Sequence, residues 1–135
     1  MKQEFRIAGE LWEDIDRAFG DVGGVYKLFC RVGNKRKSIS RLLASDESGI
    51  LYIGKADSFK DRVINLKKSI SPKHKSSSHE CGVRYKSSDQ IKAQFPYEQL
   101  WLELTHSDDA NKLEKEELST YEKQFGELPP FNRVV

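Results

Sequence analysis

Long apolar runs are missing from this 135-residue chain: nowhere does it approach the ~18 consecutive apolar residues of a membrane-crossing helix. The start, Met1-Lys2-Gln3-Glu4, does not read as a signal peptide either. Cysteine is scarce. Cys30 and Cys81 alone cannot make the disulfide framework of a small secreted domain, so reduced thiols in a cytoplasmic setting are expected. His74, His79 and Cys81 are too few and too irregular for a zinc site. Net charge is nearly absent as well, since 23 basic and 21 acidic residues leave +2, which names no partner. No internal repeat occurs. What remains is one soluble domain spanning 1–135, long enough to bury a single core without staples.

The charge that is present is unevenly placed. Between Lys55 and Lys86 lie nine basic residues, Lys73 and Lys75 in the polar run "KHKSSS" among them, against Asp57, Asp61 and Glu80. Acid gathers instead between Asp108 and Glu122. A basic middle suits a polyanion, because phosphate neutralisation dominates nucleic-acid affinity; a solvated basic face is the plainer alternative.

Glycine and proline, being few, punctuate clearly. Leu11, Ile15 and Phe19 recur at helical spacing up to Gly20, so residues 1–23 read as a helical extension. Gly23-Gly24 releases the chain into a strand, Val25 to Val32, with Tyr26, Leu28 and Cys30 on one face. Ile50 to Ile53 reads as a second strand, pairing with the first as an antiparallel hairpin. Asp57 or Ser58 caps a helix with Phe59, Val63, Leu66 and Ile70 on its apolar face, and Pro72 stops it. A third strand runs through Leu100, Leu102 and Leu104. Ser107 caps a last helix, which Gly126 ends.

Two of these elements share an oddity: "GVY" at Gly24–Tyr26 and "YIG" at Tyr52–Gly54 set a strand tyrosine beside glycine. They resemble the two namesake motifs of the GIY-YIG nuclease superfamily, with Val25 in place of isoleucine. "YIGKADSFKDR" resembles the stretch leading to that family's arginine, which falls on Arg62. "KLEKEEL" resembles the helix of its metal-binding glutamate, which falls on Glu114, with Glu117 the fallback. "PPFN" resembles the closing segment, placing the asparagine at Asn132. The ordered likeness covers residues 24–132. The fold it implies is an α/β (α+β) sandwich: a small, mainly antiparallel three-stranded sheet flanked by helices.

The activity implied is metal-dependent endonuclease cleavage of DNA, with RNA as the alternative substrate. Phosphodiester hydrolysis requires an activated water and neutralised phosphoryl oxygens. Glu114 is the expected ligand of Mg2+ or Mn2+, since one carboxylate leaves most coordination sites to water and phosphate. Arg62 offers planar donors to phosphate. Tyr26 and Tyr52 are expected to orient or deprotonate the water, or to bond phosphate. Gly24 and Gly54 are expected to let phosphate approach the backbone, and Lys55, Lys73 and Lys75 to attract it. Asn132 is expected either in the site or capping a turn. Where several branches of the family carry a histidine, one turn after the arginine, this chain has Leu66; His79 is the substitute imidazole, or else a surface histidine in a flexible stretch. Beyond Asn132 come three residues and no targeting motif, so a separate targeting subunit is expected. The same fold without turnover, serving as a nucleic-acid-binding module, is the alternative reading.

Overall fold

The computed structural model describes residues 2–73 and 79–132. The chain opens with a strand, β1 (Lys2–Arg6), and turns into helix α1 (Leu11–Phe19), which buries Leu11 and Ile15. Then come β2 (Gly24–Val32), its short return strand β3 (Lys35–Arg36), and a two-residue pair, β4 (Ile39–Ser40) and β5 (Ser45–Asp46). Next are β6 (Ile50–Ala56) and α2 (Phe59–Ile70), followed by two short helices, α3 (Glu80–Lys86) and α4 (Asp89–Gln94). A single 3-10 turn leads into β7 (Leu100–His106), and α5 (Ala110–Phe125) closes the series.

The main sheet is antiparallel in the order β1-β7-β2-β6. Its centre, β7-β2-β6, is the expected three-stranded sheet. The strand β1 is a correction to the purely helical reading of residues 1–23. In "KQEFR" only Phe5 is buried, so an edge strand giving one side chain to the core leaves no alternation to detect. The helices α3 and α4 were also missed, being seven and six residues long.

A bulge sorts the core into two. Leu28 pairs with Tyr52 but Phe29 pairs with Ile50, so Leu51 is the extra residue on β6. Leu51 and Tyr52 therefore join Tyr26, Leu28 and Cys30 in the cluster under α1, α2 and α3. Ile50 and Ile53 join Val25 in the cluster under Tyr121 and Phe125 of α5. Both sheet faces are covered, which makes the strands more continuously apolar than strict alternation predicts.

Caps and edges follow local chemistry. Ser58 sits at the start of α2 without a side-chain cap bond, and the Phe59 N–H goes instead to Val22 O (3.0 Å). Asp109, not Ser107, caps α5 by accepting the Lys112 N–H (3.1 Å). Gly126 (φ 81°) ends that helix in the left-handed conformation. The free edge of β6 is covered by the C-terminal segment: Phe131 N donates to Leu51 O (2.9 Å). No described helix is long and apolar enough to cross a membrane.

Asp46, buried just before β6, accepts from Ser48 N and Ile50 N (both 2.9 Å) and from the Tyr121 hydroxyl (2.8 Å). One carboxylate thus ties the loop before β6 to α5. Asp46→Ala strands three donors, and a loss of about 2–3 kcal/mol is expected, read from the shift in denaturant midpoint.

Candidate active site

Tyr26 lies directly opposite Gly54 across the β2–β6 ladder. A Cβ on Gly54 would stand 2.4 Å from Tyr26 Cζ and 2.8 Å from Tyr52 Cε2. Gly54 thus leaves room for two tyrosine rings, whose centroids are 6.0 Å apart. At Gly24 a Cβ would meet Thr105 O at 2.0 Å and Ser107 N at 2.8 Å, so its bareness admits the backbone around the end of β7. Both glycines were expected to open the backbone to phosphate. In the structure their room is filled by protein.

His79 completes this floor. It is only 3 % exposed, not the surface residue of a flexible stretch. Its ring meets Tyr52 edge-on at 5.4 Å, and Nε2 lies 2.9 Å from the Tyr26 hydroxyl oxygen. Nδ1 accepts the Cys81 N–H at 3.1 Å, capping α3. Burial, aided by the Arg62 charge, lowers the imidazole pKa to about 4. Burial also pushes the Tyr26 phenol up to about 12, against the pull of Arg62, and raises Tyr52 further with help from Tyr26 and Glu80. The floor is therefore neutral near pH 7.

Charge sits on the rim. Arg62, in the first turn of α2 and exposed, interacts with the oxygens of both Tyr26 and Tyr52. Glu114, half-buried on α5, has its carboxyl pKa raised by burial and by Glu80, while Lys55 and Arg62 pull it down. Lys55 Nζ donates to Asn111 Oδ1 (2.6 Å), linking the end of β6 to the start of α5. Lys55, Ser58, Asp61, Arg62 and Asn65 line an open cleft of about 310 Å³.

The fallback glutamate goes elsewhere: Glu117 pairs with Lys27 Nζ at 2.7 Å. Asn132 holds β6, accepting Ile53 N (3.0 Å) and donating to Ile53 O (2.9 Å). Its side chain bonds to the backbone of β6, a structural role. Lys73 is exposed just past α2, and Lys75 falls outside the described residues. Two residues were missed from sequence. Glu80 accepts a long hydrogen bond from the Tyr52 hydroxyl (3.5 Å), and Asn65 shares the cleft with Arg62. Asn65 had a findable signal, three residues after the arginine. Glu80 had none, because α3 itself was not recognised.

Among the described residues no group of three or more His, Cys, Asp or Glu side chains could hold a metal. A preformed protein cage does not fit. Glu114, half-buried with the positive charges of Lys55 and Arg62 and the negative charge of Glu80 acting on it, is the carboxylate that would hold a hard cation completed by water and phosphate. Comparison of the chain with family models, with curated proteins and with solved structures gives no match.

The imidazole makes stability pH-dependent in a definite direction. Its folded pKa of about 4 lies below the ordinary ~6.5, so between those values the unfolded chain binds more protons. Stability due to His79 is complete above that window and is lost as pH falls through it, by at most about 1.4 kcal/mol per pH unit. Denaturation midpoints measured from pH 4 to 7 should slope less in His79→Gln than in the wild type. Equal slopes would assign the proton uptake to another group. Gly54→Ala should cost at least about 2 kcal/mol in the same assay, because two rings must move.

Proposed function

We propose that this chain is a metal-dependent endonuclease of the GIY-YIG kind, hydrolysing phosphodiester bonds in DNA. The observation that carries the reading is convergence. Tyr26, Tyr52, Arg62, His79 and Glu114, from five separate stretches of sequence, meet at one end of β6. Four of them fall where the resemblance puts its tyrosines, arginine and glutamate, and His79 supplies an imidazole from a different position than the family's, which is Leu66 here.

On this reading the rim binds substrate and the floor holds the rim. Arg62 presents a planar fork of donors to a phosphoryl oxygen, and its charge opposes the negative charge that develops in the transition state. Lys55 adds attraction beside it. Glu114 holds Mg2+ or Mn2+, which when bound supplies Lewis acidity to a phosphoryl oxygen and a more acidic water. The Tyr52 hydroxyl, which donates to Glu80 Oε2 at 3.5 Å, would orient the attacking water. DNA is the proposed partner.

A second reading keeps the fold and the DNA but not the turnover. It is favoured by one observation: both tyrosines are buried and protonated, so neither stands ready as a base. Cleavage of plasmid, branched and single-stranded DNA with magnesium or manganese separates the two. Excess chelator should stop cleavage, and added manganese should restore it.

Glu114→Gln should abolish metal-dependent cleavage while DNA binding persists. Loss in Glu117→Gln instead would move the ligand. Arg62→Ala should lower single-turnover cleavage at saturating enzyme by about 10²-fold or more, with a smaller change in affinity. Arg62→Lys should also be poor, since an ammonium lacks the planar fork. A variant Arg62→Ala that loses only affinity would make Arg62 an ordinary phosphate contact.

A further inference from the structure

The hydrogen bond between His79 and Tyr26 has a direction, fixed from the far side of the ring. Nδ1 accepts the backbone N–H of Cys81, and an amide N–H can only donate. Nδ1 therefore carries no proton, and the neutral ring must carry its proton on Nε2. The 2.9 Å contact is then Nε2–H donating to the Tyr26 oxygen. His79 in this state cannot take a proton from Tyr26, because the nitrogen that faces it is already protonated. A second observation agrees independently: Tyr26 is 0 % exposed, beneath the rim that substrate would meet.

Building on the nuclease reading, we propose that His79 and Tyr26 form a positioning strut, not a base pair that activates water. The imidazole of His79, anchored on the first turn of α3, donates to Tyr26. That bond fixes the Tyr26 hydroxyl beneath Arg62, and the guanidinium is held over the cleft. Catalytic contact belongs to the charged groups, Arg62 and Glu114. The charged and titratable groups facing Tyr26 are Arg62 from α2, Tyr52 from β6, His79 at the N-cap of α3, Cys81 from α3, and Glu114 from α5.

Imidazole nitrogen NMR of the intact chain at neutral pH tests the direction without any substrate. A protonated Nε2 with a bare Nδ1 is expected, and in Tyr26→Phe the Nε2 proton should exchange with water faster. A ring protonated on Nδ1 overturns the strut. Kinetics test the role. Tyr26→Phe should slow single-turnover plasmid cleavage about ten-fold, the scale of one neutral hydrogen bond, and keep the shape of the pH–rate profile. A general base would cost about 10²–10⁴-fold and take a limb of that profile with it, and that result would also overturn the strut. His79→Asn keeps a strong helix cap but is too short to reach Tyr26, so it should resemble Tyr26→Phe. His79→Gln, which restores a donor, should recover part of the rate. Should the wild-type chain cleave no DNA under any metal condition, the nuclease reading fails alone, and the NMR result still decides the strut.

Discussion

A phenol ring laid across a bare glycine fixes the rest of this molecule. Tyr26 can lie flat on β6 only because position 54 has no side chain, and it meets position 54 only because the two strands hold one register. In an antiparallel ladder a slip of one residue turns every side chain to the opposite face. The extra residue at Leu51 prevents such a slip from being harmless, since Leu51 and Tyr52 face the α1–α3 layer while Ile50 and Ile53 face α5. The tyrosine pair and the partition of the core are thus set by one local irregularity.

Electrostatics then separate the site into two depths. Buried phenols and imidazole are kept neutral because a low-dielectric floor penalises their charged forms. On the rim Arg62 is exposed, whereas Glu114 is half-buried and its carboxyl pKa is raised by that burial against the pull of Lys55 and Arg62. Arg62 joins the depths, since its guanidinium stays charged at any working pH and interacts with both tyrosyl oxygens from above. On the proposed reading, a neutral floor holds its geometry without repelling a phosphate, and the exposed Arg62 attracts one.

Much of the frame was legible because its elements are long and periodic. β2, β6, β7, α1, α2 and α5 announce themselves by spacing, and Gly126 ends α5 where a left-handed residue was expected. What escaped was short or one-sided. β1 exposes most of its residues, α3 and α4 have too few turns for a period to emerge, and Asp109 outcompetes Ser107 because its carboxylate reaches the Lys112 N–H. The site divides the same way. Tyr26, Tyr52, Arg62 and Glu114 stand out by pattern and resemblance, whereas the burial of His79 follows from a tertiary contact 53 residues away. At Gly24 and Gly54 the space a side chain would need is filled by protein, because sequence marks where a side chain is missing but not what fills the space.

The edge of β6 shows why a residue without a chemical part can still belong to the site. β6 pairs with β2 on one side only, so the outward N–H and C=O of Ile53 would face solvent as an open strand edge. Asn132 satisfies both with one side chain, and Phe131 takes Leu51 O beside them. Ile53 lies between Tyr52 and Gly54, the two residues whose placement the tyrosine floor requires. An amide clamp there holds the backbone on which both rings rest, while Arg84 ties the same segment to α3 by donating to Pro130 O (3.0 Å). Since His79 caps α3, the closing segment ties the backbone of β6 and the helix that positions the imidazole to one another.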